Sequence, residues 1–494
     1  MVMGKQAVVL GAGFSGLAVA SLLQRQGWQV TLWEKNPEIG GRARLWSQGG
    51  YHFDMGPSWY LMPEVFARFF ALFGKTPEDY YGLTKLKNQY QVFFEGLPSA
   101  TVTDNLSATK SLFESFEPGG ADKLDSFLAE AKLKYDTAMD GFLYKDYRHL
   151  GDFLNWTVLT KGPGLGLTGS LDKFVAKRFQ DRRSRQILEY AMVFLGSSPS
   201  NAPALYSLLS HVDLNLGVWF PQGGMNGVAQ GLARLFTENG GTLITGKEAA
   251  GLTVRHGRVE RVRAVDGDEL PVDLVVNTAD YAWSETHLLE PPWQSYSAAY
   301  WNSRVLAPSM FLAFLGVRKQ LPELEHHNLY FSADWNQHFK SIFETPAWPQ
   351  NPCFYLSAIT KTDPSMAPQG AENLFLLIPA ASGLPDSDEF RSDYLDKALR
   401  HVEAVTHTSF RDSIEVQRVF SQRDFESDYH AWKGTGLGLA HTLFQTAIFR
   451  PARRSRKVGN LFYTGQYTHP GVGVPMTLIS AQVTAQVIGR SLRP

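Results

Sequence analysis

Residues 7–16 of this chain read AVVLGAGFSG. Four apolar residues, typical of a buried strand, lead into a G-x-G-x-x-G pattern at the opening of a helix, which is the context of a dinucleotide-binding turn. Gly11 permits the tight turn, Gly13 lets the backbone approach a pyrophosphate, and Gly16 allows the helix to pack closely on the strand. The cofactor contacts predicted in this turn are Gly11, Gly13, Phe14, Ser15 and Gly16.

The prediction extends from this turn to a complete βαβ unit. We expect strand Ala7–Leu10, helix Gly16–Gln26 and strand Gln29–Glu34. Glu34 follows the glycines by about 20 residues, the position from which a carboxylate binds ribose hydroxyls and repels a 2′-phosphate, so NADP is disfavoured. Lys35, the next residue, is predicted to lie beside the same cofactor.

A second glycine pair indicates that the cofactor is FAD and not NAD. Taken alone, Gly40-Gly41-Arg42 is more typical of an ordinary turn, but beyond the Glu34 strand it stands where a second phosphate-side loop would meet a longer cofactor. Arg42 can neutralise pyrophosphate charge. The cofactor contacts predicted from this loop and from the segment after it, which we expect to approach the flavin ring, are Gly40, Gly41, Arg42, Pro57 and Ser58.

The composition excludes several classes of protein. The chain has 494 residues, of which 44% are hydrophobic and 13% aromatic, as in a globular protein with an apolar interior. Its 47 basic and 48 acidic residues give a net charge of −1, so no broad field attracts nucleic acid. Cys353 is the single cysteine, which excludes internal disulfides and multi-cysteine metal sites. We predict no metal site and a reducing, cytoplasmic setting.

Membrane contact is expected to be peripheral. No stretch reaches about 18 uninterrupted apolar residues, and the apolar N-terminus carries the glycine pattern without a basic leader and cleavage site. The basic clusters Lys173–Arg185 and Arg450–Lys457 are candidates for contact with anionic headgroups, although charge runs are usually solvated faces. The aromatic stretch Trp59–Phe73 is either an entrance wall for an apolar ligand or a core helix.

The length predicts two or three interlocked domains. We assign 1–75 to the cofactor domain, 76–220 to a helical cap and substrate region, 221–285 to a second cofactor-domain part, 286–445 to a substrate domain and 446–494 to a closing strand and helix. Four strands are predicted to form a small sheet, with the last returning to the first domain: Thr242–Thr245, Leu252–Arg255, Arg258–Val265 and Asp273–Asn277. The closing elements are predicted as strand Leu461–Thr464 and helix Met476–Leu492.

Both ends of the chain resemble one group of flavoproteins. The start is similar to the FAD-binding domain of the flavin amine oxidase and phytoene desaturase superfamily, and the segments 460–465 and 468–475 resemble the closing signature of bacterial-type phytoene desaturases. Five further segments resemble that family in the same order: 220–225, 277–280, 326–328, 362–368 and 449–451. The resemblance therefore covers nearly the whole chain.

This resemblance implies a glutathione-reductase-like α/β fold, with a Rossmann-type FAD domain, a discontinuous mixed substrate domain and a helical cap. It places Ala249 where the superfamily binds adenine through backbone groups, and Gly465 and Gln466 beside the ribityl chain. Many relatives have an acid in place of Gln466, but an amide also bonds a hydroxyl. Val474, Pro475 and Met476 would aim the N-terminus of the last helix at the flavin pyrimidine edge, where reduced flavin is negative.

Two titratable residues are candidates for proton chemistry. His469, in the closing loop, either removes a proton or holds the cofactor in position. Asp152, in an apolar stretch, is either an acid of raised pKa or a solvated helix residue.

The function implied by the resemblance is carotenoid desaturation, a step of carotenoid biosynthesis. The enzyme would draw hydrogen from a phytoene-type hydrocarbon at a membrane surface, pass a hydride to FAD, and reoxidise the flavin with oxygen or quinone. Alternatives are a desaturase of a C30 or a hydroxylated C40 carotenoid, and a carotenoid cis–trans isomerase that uses reduced FAD without net oxidation. A non-catalytic carotenoid-binding protein is disfavoured, since it would not need a complete flavin site.

Overall fold

The computed structural model describes residues 5–147 and 169–492. Its strands are β1 (Gln6–Leu10), β2 (Gln29–Trp33), β3 (Leu45–Gln48), β4 (Tyr51–Asp54), β5 (Leu83–Lys85), β6 (Asn88–Phe94), β7 (Leu97–Thr103), β8 (Trp219–Pro221), β9 (Thr242–Ile244), β10 (Ala249–Arg255), β11 (Arg258–Ala264), β12 (Glu269–Pro271), β13 (Leu274–Asn277), β14 (Ser309–Val317), β15 (His327–Phe331), β16 (Phe354–Ala358), β17 (Glu372–Ala380), β18 (Ile414–Phe420) and β19 (Leu461–Tyr463).

The α-helices are α1 (Phe14–Arg25), α2 (Pro63–Ala71), α3 (Leu106–Phe116), α4 (Gly120–Gly141), α5 (Leu171–Ala176), α6 (Arg182–Glu189), α7 (Leu208–Ser210), α8 (Gly224–Glu238), α9 (Tyr281–His287), α10 (Ala298–Asn302), α11 (Trp335–Phe343), α12 (Asp388–Thr406), α13 (Gln422–Tyr429) and α14 (Val474–Ser491). A π-helical turn, His211–Leu216, continues α7. No helix in the described ranges is long and apolar enough to cross a membrane.

A five-stranded sheet in the order β19-β13-β1-β2-β9 forms the centre of the first domain. All its strand pairs are parallel, with β1 between β2 and β13. The βαβ unit and the predicted return of Asp273–Asn277 are confirmed. The prediction that Thr242–Thr245 belongs to the small sheet was wrong, because β9 follows α8 as the return of a crossover and pairs with β2. The small sheet consists of β10, β11 and β12.

Alternation along β1 explains how this sheet is covered. Ala7 and Val9 pack with the apolar faces of α1, α8 and α14, while Val8 and Leu10 pack with the small sheet and β19. Such period-two alternation between two apolar layers is expected of a strand buried on both faces. The predicted Rossmann-type α/β architecture, with its domain assembled from distant segments, is therefore the one that the structure has.

A second sheet, in the order β18-β14-β17-β16-β15-β6-β7, forms the other half of the molecule. Helices α11 and α12 cover part of this sheet. Strands β6 and β7 come from the segment 76–220, which was assigned to a helical cap and substrate region, and β6 joins the sheet by parallel pairing with β15. Part of that segment therefore completes the second sheet.

The aromatic stretch Trp59–Phe73 lies mainly in the core. Phe66, Phe69 and Phe70 of α2 are fully buried in the cluster that also contains α1 and α14. Of the two interpretations left open for this stretch, the core helix is the one observed for these side chains.

Candidate active site

One cavity of about 770 Å3 runs between the two sheets. Every residue predicted to bind the cofactor lines it: Gly11, Gly13, Phe14, Ser15, Gly16, Glu34, Lys35, Gly40, Gly41, Arg42, Pro57, Ser58, Ala249, Gly465, Gln466, Val474, Pro475 and Met476. Apolar side chains of the second sheet, including Leu312 and Leu377, line the same cavity. The chain therefore brings the predicted cofactor residues and an apolar chamber into one continuous space.

The glycine turn leaves the N-terminus of α1 open to this cavity. Gly11 has a φ of 98°, and the Thr278 hydroxyl donates to its carbonyl oxygen across 2.9 Å. α1 has no acidic residue in its first turn and no side-chain cap. A Cβ added to Gly13 would meet no atom closer than 3.9 Å. Unopposed N–H groups and open space beside Gly13 are what an anionic phosphate requires.

Glu34 is buried at 5% exposure and helps to hold the glycine turn. Its Oε2 accepts a hydrogen bond of 2.7 Å from the Ala12 N–H, and its Oε1 accepts one of 2.9 Å from the Asn36 N–H. The Asn36 side-chain amide donates a third hydrogen bond, of 3.1 Å, to Oε1. Since a carboxylate has about four acceptor positions, about one remains for a ribose hydroxyl. The carboxylate thus fixes the shape of the turn on which the predicted cofactor depends.

The second glycine pair packs directly against the first turn. Gly40 has a φ of 108°, forms a parallel β-bridge with Gly13, and donates from its N–H to the Ala12 carbonyl across 2.9 Å. The Arg42 guanidinium lies 5.3 Å from the centroid of the Tyr429 ring, and its buried Nε has no hydrogen-bond partner among the described residues. A buried guanidinium nitrogen without an acceptor, next to an open helix N-terminus, fits a diphosphate.

The C-terminal elements close the opposite side of the site. The Ser15 hydroxyl lies 3.2 Å from Thr464 Oγ1, which joins α1 to the end of β19. α14 begins at Val474 after Gly473, with no side-chain cap and no acidic residue in its first turn. A second positive helix end therefore faces the cavity, as predicted for stabilising negative charge on a bound flavin.

His469 lies on the cavity wall and is neutral at physiological pH. Its Nε2–H donates to the Phe142 carbonyl oxygen across 3.1 Å, and Tyr147 packs against the ring at 5.2 Å. Burial, with the Arg453 charge adding to it, lowers the pKa of His469 to about 3. An imidazole with so low a pKa is a weak base. Asp152, the other candidate, lies outside the described residues.

Two of the arginines predicted to meet headgroups are buried instead. Arg450 donates from Nη1 to the Gln466 carbonyl across 2.8 Å, and Arg453 donates to the His469 carbonyl across 3.0 Å. Burial lowers the pKa of Arg450 to about 10. This part of the membrane-docking prediction was wrong, because both guanidiniums hold the closing loop. Arg454, Arg456 and Lys457 of the same cluster are exposed.

Three of the six basic residues of the other cluster, Lys173–Arg185, are paired with acids. Arg178 pairs with Glu130 at 2.5 Å, and Arg185 pairs with Asp172 at 2.8 Å. Neutralised cations of this kind offer less attraction to an anionic surface.

The cavity reaches the surface at residues 446–449, which line it. Phe449 is 47% exposed, and its ring centroid lies 6.0 Å from that of Phe444, which is 72% exposed. Both phenylalanines share a surface depression with Arg304 and Arg456. An exposed aromatic pair therefore stands at one end of the apolar chamber, a feature that the sequence analysis missed.

Asp213 is a second missed residue of the cavity wall. It is the single acid in the apolar stretch 204–220, which is the same kind of signal that selected Asp152. Its Oδ2 accepts a hydrogen bond of 2.7 Å from the Tyr90 hydroxyl. Burial raises the pKa of Asp213 to about 7, so the site contains a carboxyl group that titrates near neutrality.

The comparisons with known proteins agree with this geometry. A family model described as flavin containing amine oxidoreductase matches residues 14–489. The chain is 44% identical over 486 residues to a carotenoid 3,4-desaturase of Haloarcula japonica, covering 98% of each, and 33% identical over 490 residues to a zeta-carotene-forming phytoene desaturase of Myxococcus xanthus, covering 98% of this chain and 93% of that one. An oxidoreductase structure from Methanosarcina mazei is similar with a TM-score of 0.64 at 16% identity, covering 97% of this chain and 100% of that chain, which shows the shared fold.

Proposed function

This chain belongs to the carotenoid desaturases of the flavin containing amine oxidoreductase family, and from that premise we propose that it is an FAD-dependent enzyme removing hydrogen from a carotenoid. The observation that carries the proposal is the single cavity lined both by the phosphate-loop residues and by the apolar face of the second sheet. When bound, the flavin would supply the two-electron oxidant that takes hydrogen from a C–C bond. The protein supplies binding, orientation and a dry apolar chamber.

The flavin is FAD in this proposal because the site extends beyond a flavin ring. Gly13 and Arg42 would hold the diphosphate, Glu34 the adenosine ribose, and Ala249 the adenine, while the start of α14 would face the flavin pyrimidine. Attachment is non-covalent, since Cys353 packs against Ser332 in the second sheet and is not part of the cavity wall. Denaturation should release intact FAD.

The bond that is oxidised is proposed to be the 3,4 bond of a carotenoid. Identity to the 3,4-desaturase is 44%, against 33% to the phytoene desaturase, and both alignments cover nearly the whole chain. Phytoene desaturation, the activity expected from the sequence resemblance, is the second candidate. Oxygen or a quinone is proposed to reoxidise the flavin.

The substrate is proposed to enter from a membrane at the Phe444–Phe449 surface. These exposed rings adjoin the cavity and stand beside Arg304 and Arg456. Aromatic side chains with neighbouring cations suit the interface of an anionic bilayer. A carotenoid would then pass from the lipid to the chamber without crossing water.

The test of this function is product identity. Purified, FAD-loaded protein in liposomes would be given phytoene or an already conjugated acyclic carotene, and products would be followed by absorbance and mass. We expect loss of two hydrogens per step, a red shift and bleaching of the flavin under anaerobic conditions. Conversion at unchanged mass would instead show an isomerase, and loss of hydrogen from phytoene alone would favour the second candidate.

A further inference from the structure

Asp213 is a carboxyl group built into the wall of an apolar cavity. It is 6% exposed and lies in the π-helical turn His211–Leu216, with Val212 beside it on the same wall. π-Helical turns are rare and are frequent at functional sites. A buried acid costs folding free energy unless its oxygens are bonded, so the partners of this carboxyl group are informative.

Two tyrosine hydroxyls act on the Asp213 carboxyl group. Tyr90 donates to Oδ2 across 2.7 Å, and the Tyr190 hydroxyl also acts on the carboxyl group. Oδ1 is buried and has no hydrogen-bond partner in the described part of the chain. No ion pair of the described residues includes Asp213. The hydrogen bonding of this cavity-wall carboxyl group is therefore incomplete, which leaves it able to take up a proton.

An aromatic cluster places this carboxyl group near the predicted flavin ring. Trp59 directly follows Ser58, and its ring lies 6.1 Å from Tyr190 and 6.1 Å from Tyr355. Trp59, Tyr190 and Tyr355 line the cavity together with Asp213. The faces of aromatic rings attract cations, so this part of the chamber suits the positive charge that develops on the substrate during hydride loss as well as an apolar chain.

We propose that Asp213 is a catalytic residue that accepts the proton released by the carotenoid, an inference that rests on the proposed desaturase function. One sp3 carbon of the substrate loses hydrogen with its bonding electron pair to the bound flavin oxidant. In the same step the adjacent carbon loses a proton to the Asp213 carboxylate, and the electrons of that C–H bond form the new double bond. The substrate loses a hydride and a proton, which together are two protons and two electrons. The oxidant gains the hydride, and the carboxylate becomes a carboxylic acid.

The surroundings of Asp213 match this role better than those of His469. Burial raises the pKa of Asp213 to about 7, and the hydroxyls of Tyr90 and Tyr190 oppose that shift. Its carboxylate is therefore present near neutrality and is a stronger base than His469, whose pKa is lowered to about 3 by burial. Leu208, Leu209 and Val212 line the cavity together with Asp213, so a protein base replaces the water that would otherwise take the proton.

The first experiment measures single-turnover flavin reduction by the carotenoid in FAD-loaded wild type, Asp213→Asn and Glu189→Gln. Glu189 is the matched control, because it is a buried acid whose pKa is raised to about 8 by burial and it is not part of the cavity wall. We expect Asp213→Asn to slow the step by about 100- to 10,000-fold. The wild-type rate should rise with pH and level off above about pH 7, as Asp213 ionises, and this inflection should be missing in Asp213→Asn.

The second experiment observes the proton itself by infrared difference spectroscopy. Anaerobic reduction of the wild type by substrate should create the carbonyl band of a newly protonated carboxylic acid. That band should be absent in Asp213→Asn and present in Glu189→Gln. Tyr90→Phe, which removes the bond to Oδ2, should shift the pH inflection upward, because the carboxylate loses a stabilising donor.

The outcomes separate this inference from the function on which it rests. If none of the carotenoids tested reduces the flavin of the wild-type protein, both the proposed function and the proposed role of Asp213 are overturned. If the wild type is active, and Asp213→Asn reduces its flavin at a rate within about threefold of the wild-type rate and with the same pH profile, only the role of Asp213 is overturned. An acid carbonyl band that persists in Asp213→Asn would show that another group takes the proton.

Discussion

Gly13 and Gly40 face each other in a parallel β-bridge, although one begins α1 and the other follows β2. Their contact brings the two glycine turns together, so that the open end of α1 and the Arg42 side chain face one space. The pair explains why both turns are needed: each supplies the other with a side-chain-free surface.

The first prediction compares two alanine substitutions in the glycine turn. A Cβ on Gly16 would lie 1.8 Å from the Gly11 carbonyl oxygen, whereas a Cβ on Gly13 has its nearest neighbours at 3.9 Å. Gly16→Ala should therefore unfold or severely destabilise the domain, while Gly13→Ala should fold. Gly13→Ala should weaken FAD binding by at least about 10-fold, or about 1.4 kcal/mol, because its methyl group occupies the phosphate approach.

Calorimetry of FAD binding and thermal unfolding of the apoprotein separate these effects. A Gly13→Ala protein with normal FAD affinity would contradict the phosphate role of this turn. We expect the Tm of the Gly13→Ala apoprotein to be close to that of wild type, and the Tm of the Gly16→Ala apoprotein to be much lower.

The second prediction concerns Glu34. Glu34→Ala should weaken FAD binding by about 1–3 kcal/mol, the usual loss when a charged hydrogen-bond partner is removed. Part of that loss comes through the turn, since Glu34 also accepts from the Ala12 N–H. Glu34→Gln retains one acceptor and should lose less. Titration of the apoproteins with FAD tests this order, and equal affinity in all three proteins would show that Glu34 does not reach the cofactor.

The third prediction concerns the exposed aromatic pair. Phe444→Ser combined with Phe449→Ser should reduce flotation with anionic liposomes, because the pair is the apolar part of the proposed docking surface. Leu133→Ser is the matched control, since Leu133 is 55% exposed on α4 and lies outside the cavity wall. High salt should release the wild type further by screening Arg304 and Arg456. Equal flotation of the double variant and the control would contradict this surface.

The fourth prediction is a pH dependence of stability. Asp54 accepts hydrogen bonds from the Met225 and Asn226 N–H groups at the start of α8, and burial raises its pKa to about 7. In the unfolded chain it ionises near its ordinary pKa, so the folded state binds more protons between these values. Stability should therefore fall as pH rises from about 4 to 7 and level off above, with Asp213 contributing in the same direction.

Denaturant unfolding of the apoprotein at several pH values measures this slope. Asp54→Asn should be less stable at low pH by about 1 kcal/mol, since it weakens a helix cap, but its stability should change less with pH. A slope that is the same in Asp54→Asn would assign the effect to other groups.

The cofactor side of the site was predictable because its signals are local. Each signal lies within a few residues: the glycine turns, the acid after the second strand, and the start of the closing helix. The fold then brings these segments to one cavity. The carotenoid side was not predictable in this way. Strand β6 has an alternating pattern over Gln89–Val92, yet its parallel partner β15 lies far along the chain, and aromatic composition outweighed that pattern.

Single polar residues in apolar stretches were the least predictable feature. Asp152 and Asp213 carry the same sequence signal. Asp152 lies outside the described residues, whereas Asp213 lines the cavity from a π-helical turn. The basic cluster Arg450–Lys457 divides in the same manner, since Arg450 is buried by the loop that it holds while Arg456 is exposed. Charge alone does not indicate which side of a loop faces water.

The last prediction concerns His469, which the sequence made the most conspicuous base. Its Nε2–H is bonded to the Phe142 carbonyl, and burial lowers its pKa to about 3. The imidazole therefore remains neutral across the working pH range and gives no inflection near pH 7. So weak a base contributes little to removal of the substrate proton. His469→Ala should slow single-turnover flavin reduction by about 100-fold or less, the low end of general-base assistance, with the pH profile unchanged. The measurement requires FAD content equal to wild type, because the same loop carries Gln466 and the start of α14. A loss beyond about 10,000-fold with FAD fully bound would show that His469, and not Asp213, removes the proton together with the hydride.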